Sequence, residues 1–245
     1  MLLSERIPTF VRIPSGWIVN DRGLRTFPGG TRGEGIAALK TYLAIARAAG
    51  EQRFAGGAEG VATLTYDQLA KLADVARGQL PAALDLLNER IERRSGVGQQ
   101  PNTYRIIGYR EDRGWAQVPA RWLWLGHGNP FQFFTPRRRV HLNALKLYLL
   151  FLAFRDIRKN QAHLSYKKIT EYTGLQAPAI SPGISVLIDA NLISVGSGAL
   201  AAAGPDSTVP EVDEERQRLW NLPNYYRIRG LTSRLDTKGT DDLIK

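Results

Sequence analysis

The sequence predicts an α+β protein in which one structural unit of about 110 residues is used twice. Three observations carry this reading. The segment Pro101-Asn102-Thr103-Tyr104-Arg105-Ile106-Ile107-Gly108 is answered by Pro223-Asn224-Tyr225-Tyr226-Arg227-Ile228-Arg229-Gly230, with six of eight positions identical. Upstream, Ala38-Leu39-Lys40-Thr41-Tyr42-Leu43 is answered by Ala144-Leu145-Lys146-Leu147-Tyr148-Leu149, and Leu64-Thr65-Tyr66 by Leu164-Ser165-Tyr166. Phe10, Pro14 and Trp17 fall 105 positions before Trp115, Pro119 and Trp122, and all landmarks keep their order. The boundaries that follow are 1–109 for the first unit and 110–231 for the second, with 232–245 as a C-terminal tail.

Each unit then reads as an aromatic N-terminal strand, three helices and a β-hairpin. Residues 35 to 49 place Ile36, Leu39, Leu43 and Ala46 on one face at helical spacing, which predicts the first helix. Its counterpart, Asn143 to Arg155, is apolar around its circumference and is expected to be the more deeply buried of the two. Thr65 and Ser165 are predicted N-caps, since a hydroxyl there accepts from the free backbone N–H groups of a second, short helix. That helix carries Tyr66, Leu69 and Leu72, or Tyr166 and Ile169. A break at Asp74-Val75-Ala76, or Thr173-Gly174-Leu175, precedes a third helix with Leu80, Leu84 and Leu87, matched by Ile180, Ile184 and Leu187. A turn-rich stretch leads from there to the Tyr-Arg-Ile strand.

The run Leu164-Ser165-Tyr166-Lys167-Lys168-Ile169-Thr170-Glu171-Tyr172-Thr173-Gly174-Leu175, followed by Ile180, Ile184, Leu187 and Ala190-Asn191-Leu192-Ile193, resembles the helix-turn-helix core of winged-helix DNA-binding domains. The resemblance covers both halves. It implies two tandem winged-helix domains from an internal duplication, as in plasmid and phage replication initiators and in winged-helix transcription regulators. The third helix would then be the recognition helix, and the hairpin the wing.

On that reading the exposed face of the first recognition helix offers Arg77 for guanine and Gln79 for adenine. Arg93 and Arg94 precede the Ser95-Gly96-Val97-Gly98-Gln99-Gln100 loop and suit a phosphate or minor-groove contact, the alternative being a solvated hairpin. The second unit departs from the pattern. Its recognition helix, Gln176-Ala177-Pro178-Ala179-Ile180-Ser181-Pro182-Gly183, has no basic residue, and Pro182 removes a helical hydrogen bond. Two readings stand there. Gln176 and Ser181 contact bases while Arg158, Lys167 and Lys168 hold phosphates, or the helix packs on protein and the unit mediates dimerisation or partner docking. Residues 196–219 form an acidic insertion in its wing. Between the units, Trp115, Trp122, Trp124, Phe131, Phe133 and Phe134 alternate with arginines; that pattern suits single-strand stacking, but alignment with Phe10 and Trp17 favours core. Arg137, Arg138 and Arg139, just before the first helix of the second unit, are the leading phosphate contacts.

Composition fits this reading. Net charge is +10 with a pI near 10, and residues 110 to 168 hold 12 Lys or Arg against 3 Asp or Glu, which points to a polyanionic partner. The chain has no cysteine, so thiolate metal sites, cysteine nucleophiles and disulfides are excluded. His127, His141 and His163 lack metal-ligand spacing, and Phe54-Ala55-Gly56-Gly57-Ala58-Glu59-Gly60 lacks the Lys-Ser or Lys-Thr ending of a P-loop. No elbow motif or paired-histidine nuclease motif is present, so no catalytic activity, metal or cofactor is expected. The expected function is sequence-specific binding of double-stranded DNA, as replication initiator or transcriptional regulator of a bacterial mobile element. The competing expectation is a protein-interaction adaptor, acting as a homodimer or through another protein at the second unit. A cytoplasmic, nucleoid-associated protein without a membrane segment is the corresponding expectation for location.

Overall fold

The computed structural model describes residues 7–29, 33–97, 100–110, 114–126, 130–136, 138–196 and 223–233. Arg137, most of the acidic stretch and nearly all of the tail lie outside them. The chain is mixed α+β. Its first half runs β1 (Val11–Pro14), α1 (Gly16–Val19), a 3-10 turn at Gly23–Thr26, α2 (Glu34–Phe54), β2 (Val61–Leu64), α3 (Tyr66–Ala73), a 3-10 turn at Arg77–Gln79, α4 (Leu80–Asp85), β3 (Ile91–Arg94) and β4 (Asn102–Ile106). The second half runs β5 (Trp115–Val118), α5 (Ala120–Leu125), α6 (Pro130–Phe133), α7 (Arg139–Ala153), β6 (Arg155–Asp156), β7 (Gln161–Leu164), α8 (Tyr166–Thr173), α9 (Ala177–Asp189), β8 (Ile193–Gly196) and β9 (Asn224–Ile228). Among the described residues no helix is long and apolar enough to cross a membrane.

The residues matched in the sequence occupy matched places. The first half has an antiparallel sheet in the order β2-β4-β3 and the second in the order β6-β7-β9-β8. Leu64 lies opposite Asn102 as Leu164 lies opposite Asn224, and Ile91 opposite Ile106 as Ile193 opposite Ile228. Tyr104 and Tyr226, from the repeated Tyr-Arg-Ile motif, are fully buried, and Tyr226 stacks on Phe151 of α7 at 3.9 Å between ring centroids. Apolar burial on this scale drives the fold.

Two expectations are corrected, and the pairing of the N-terminal strands is a further finding. Helix α2 has no single apolar face: it is buried continuously from Gly35 to Ala49, Lys40, Thr41 and Arg47 included, because β1, β2, α3, α4 and α7 all pack around it. It is therefore as deeply placed as α7, and it continues past residue 49 to Phe54. The third helix of the first half is only the six residues of α4, entered through the 3-10 turn, with Pro81 in its first turn. The two N-terminal strands do not join the sheets of their own halves. They pair antiparallel with each other, Val11 opposite Val118, Arg12 opposite Gln117 and Ile13 opposite Ala116, and one hydrophobic core runs through both halves.

The β2 side of the first sheet and the β7 side of the second are covered differently, while β3 and β8 form the opposite edges. In the second half β6 pairs with β7. In the first half the extra turns of α2 carry Gln52 to the edge of β2, where its carboxamide accepts from Thr63 N at 2.8 Å and donates to Thr63 O at 2.9 Å. One side chain thus makes the pair of bonds that a neighbouring strand would make.

Two buried lysines hold the helix ends. Lys40 of α2 donates to Asp74 O at 3.0 Å, to Asp74 Oδ2 at 2.8 Å and to Phe134 O at 2.9 Å. Lys146 of α7 donates to Thr173 O at 3.5 Å. A cation at a helix C-terminus meets the negative end of the macrodipole. Burial lowers the pKa of both, but Asp74 partly offsets it at Lys40, whereas burial and the nearby Arg139 push the Lys146 ammonium down to about 8.

Lys40→Met strands two carbonyls and the Asp74 carboxylate and is expected to cost about 1–3 kcal/mol in urea denaturation. Lys146→Met removes a cation that no carboxylate pairs with among the described residues, and is expected to leave stability at pH 7 unchanged or raised. The depressed pKa means that the folded chain holds this proton less tightly than the unfolded one. The resulting penalty is full below about pH 8 and is relieved toward the ordinary value of 10.5. Wild type should gain stability relative to Lys146→Met over that interval; a difference independent of pH would contradict the assignment.

Candidate nucleic-acid interface

The second helix of each half starts at the residue predicted from the sequence, and for the predicted reason. Thr65 Oγ1 accepts from Gln68 N at 3.2 Å while Gln68 Oε1 accepts from Thr65 N at 2.8 Å, closing a capping box; Ser165 Oγ accepts from Lys168 N at 3.3 Å. Each helix ends in a left-handed residue, Asp74 at φ 50° and Gly174 at φ 70°, and this sharp turn sets the third helix across the first. Gly183 then lets α9 approach α7, since a Cβ there would meet Leu147 Cδ1 at 2.7 Å.

In the first half, capping places the first turn of α3 beside the start of the third helical segment. Arg77, exposed at the 3-10 turn, pairs with Asp67 at 2.8 Å, and Arg93 of β3 donates to Tyr66 Oη at 2.6 Å. Arg77 and Arg93 are thereby brought to one side of the molecule, linked through the neighbouring residues Tyr66 and Asp67. A Cβ at Gly78, next to Arg77, would meet nothing within 4 Å, so this corner is open. Gln79 is half-buried and its Oε1 accepts from Ala76 N at 3.3 Å, which commits one end of the carboxamide to capping. Arg94 is separated from Arg93 by strand alternation. It lies on the outer face of the sheet, bonded to Glu92 at 3.0 Å, with Arg105 at 3.7 Å from the same carboxylate. These residues line an open groove of about 700 Å³ with Val61, Thr103, Ile107 and Tyr109.

In the second half, Lys167 and Lys168 are exposed in the first turn of α8, at the positive end of its macrodipole, where cations are disfavoured. Lys168 lies 5.4 Å from the Phe154 ring centroid at the far end of α7. Arg158 is exposed in the turn after β6, on that same end; its N–H donates to Asp156 Oδ1 at 2.7 Å and its carbonyl accepts from Ser233. Arg138 and Arg139 are exposed at the opposite end of α7. Fifteen residues of helix separate the two groups by roughly 20 Å, so the basic residues of this half form two patches. Arg137 lies outside the described residues.

Helix α9 presents Gln176, Pro178, Ser181, Pro182 and Ser185 to solvent, without a charge before Asp189. Gln176 caps nothing with its side chain, whereas Ser181 is engaged by the Tyr166 hydroxyl, and Ser185 Oγ donates to Ser181 O at 3.2 Å. Burial, partly offset by that bond, raises the Tyr166 hydroxyl above its ordinary pKa. Val195 is 41% exposed at the strand position that Arg93 holds in the first half, and Ile188 is 46% exposed.

The tyrosine that follows each hydroxyl cap was not among the expected site residues, yet Tyr66 positions Arg93 and Tyr166 positions Ser181. Its recurrence at the same place in both repeats was the available signal. Trp115, Trp122, Trp124 and the nearby phenylalanines are largely core, as the alignment indicated; Trp124 Nε1 donates to Leu72 O at 3.3 Å and stacks on Phe131. His141 Nδ1 accepts from Thr135 N at 2.9 Å, and burial together with Arg138 lowers its pKa. Among the described residues no group of three or more His, Asp or Glu could hold a metal ion.

Thr65→Ala should lower stability by about 1 kcal/mol, read in chemical denaturation, through loss of the capping box. Gly174→Ala should cost a similar amount because of its positive φ, while Gly78→Ala should be neutral within about 0.5 kcal/mol. The chain matches no protein-family model, no curated protein and no solved structure.

Proposed function

We propose that this chain binds double-stranded DNA in a sequence-specific manner through two winged-helix domains, residues 1–109 and 110–231, that arose by internal duplication. The observation that carries the reading is the open corner at Gly78, where Arg77 at the head of the recognition segment and Arg93 of the wing strand are both exposed and held by the neighbouring residues Asp67 and Tyr66. The order of elements supports this reading, with the last strand of each hairpin paired on both sides, β4 between β2 and β3 and β9 between β7 and β8. A net charge of +10 supplies the long-range attraction to a polyanion.

The roles follow from placement. Arg77 reads a base edge, and Asp67 holds it in position until DNA competes for it. Arg93, oriented by Tyr66, takes a phosphate beside the recognition helix. Arg94 serves the outer face of the wing. Lys167 and Lys168 sit where cations weaken a helix, and phosphate contact offsets that cost. The biological setting is replication initiation or transcriptional control of a bacterial mobile element, in the cytoplasm and in association with the nucleoid. A second reading, in which the second domain docks a protein partner or a second copy, is favoured by one observation: α9 exposes no charge before Asp189, and Ile188 and Val195 are exposed apolar residues.

Anisotropy titration of a random duplex library across roughly 50 to 200 mM salt tests the proposal. Binding with a steep salt slope is expected, and no binding at low salt would sink it. Arg93→Ala should weaken every duplex and reduce the slope by about one. Arg77→Ala should cost about 1–3 kcal/mol at one guanine position only, and Asp67→Asn should tighten non-specific binding by freeing Arg77.

A further inference from the structure

The pairing of β1 with β5 has a symmetry that ties it to the internal repeat. Residues of the two N-terminal strands correspond at an offset of 105, so that Val11 corresponds to Ala116, Arg12 to Gln117 and Ile13 to Val118. In the sheet, Val11 lies opposite Val118 and Ile13 opposite Ala116, so each pair is the other with its members exchanged. Arg12 lies opposite its own counterpart, Gln117. A register in which equivalent residues exchange partners, and one residue faces its equivalent, is the signature of a two-fold axis, as in an isologous dimer interface. Units stacked by translation cannot produce it.

Contacts away from the strands obey the same relation. Helices α2 and α7, which carry the equivalent lysines Lys40 and Lys146, pack on each other across the middle of the molecule. The segment after α1 reaches the end of α8, where Arg22 pairs with Glu171 and lies over the Tyr172 ring. Reciprocally, α5 and the segment after it reach the end of α3, where Trp124 bonds Leu72 O and Phe134 O accepts from Lys40. Tyr172 and Leu72 are equivalent positions in the gap-free part of the repeat. Each half clasps the helix-turn-helix corner of the other.

We infer that the chain carries an internal two-fold axis at Arg12 and Gln117 that presents its two recognition helices in opposite orientations, so that its DNA target consists of two half-sites in inverted arrangement. This rests on the DNA-binding reading above. Target symmetry follows protein symmetry in helix-turn-helix dimers, and here one chain supplies both halves. The half-sites are unlike in content. Arg77 at the head of the first recognition segment reads guanine, whereas Ala177 stands at that place in α9, whose exposed Pro178 and Pro182 offer only apolar contact, suited to thymine methyl groups.

The absence of native cysteine makes a direct test practical. Gly78→Cys and Pro178→Cys place single thiols at equivalent, exposed positions on the two recognition segments, and the open space around Gly78 accommodates the change. Each variant is conjugated to an iron chelate and bound to a duplex selected from a random library with the wild-type chain, labelled on either strand. The expected result is that the cleavage pattern from position 178 is that from position 78 with the two strands exchanged. A pattern from 178 that repeats the 78 pattern on the same strand, displaced along the duplex, overturns the inverted arrangement while leaving DNA binding intact. Cleavage from position 78 alone overturns it too, since α9 would then stand outside the groove. Failure of the wild-type chain to select any duplex removes the DNA-binding reading itself, and the inference with it.

Discussion

The antiparallel pairing of β1 with β5 is the constraint on which the rest of the molecule depends. Each strand is only four residues long and has no other partner among the described residues, so each would be an unpaired edge without its counterpart. Their union seats α2 and α7 against each other at the centre of a single core. That explains why α2 is buried on every side and why charged residues on it must find acceptors. Lys40 finds three, from both halves of the chain, and so locks the turn after α3 to the segment after α6. Arg90 fills an equivalent need at the other end of the first half, lying over Trp17 and Phe27 and donating to Gly23 O and Thr26 Oγ1.

Much of this was legible in the sequence because repetition doubled the signal. The hydroxyl caps at Thr65 and Ser165, the break at Asp74 and Gly174, and the hairpin strands all occur where the aligned landmarks put them. What the sequence hid was long-range. Amphipathic spacing in residues 35 to 49 suggested one apolar face and a helix less deeply buried than its counterpart, because apolar periodicity reports the strongest face and says nothing of alanine-rich faces that other elements cover. The pairing of β1 with β5 had no local signature either, since strand partners are chosen by tertiary packing. The candidate site was legible in residue type and less so in grouping. Arg93 and Arg94 are neighbours in the chain yet project to opposite sides of a strand, and the cations of the second half divide between the two ends of α7.

The halves share a frame and differ in surface chemistry. Where the first half has Arg77, Asp67 and Arg93, the second has Ala177, Lys167 and Val195. At these positions the first half has charges of both signs, spread over α3, the 3-10 turn and β3, and the second half has only the cation in the first turn of α8. The matched positions that are buried, such as Tyr104 and Tyr226, carry the same residue, whereas exposed ones such as Arg93 and Val195 differ.

The carboxamide of Gln52 has a consequence for colloidal behaviour. At the β2 edge the N–H and C=O of Thr63 are already satisfied by a side chain, so that edge is a poorer template for another chain, and no further strand is devoted to the task. The second half meets the same hazard with two residues of real strand at β6. When copies of the chain are crowded together, these two covered edges are less open to strand pairing than β3 and β8, each of which keeps an unpaired side.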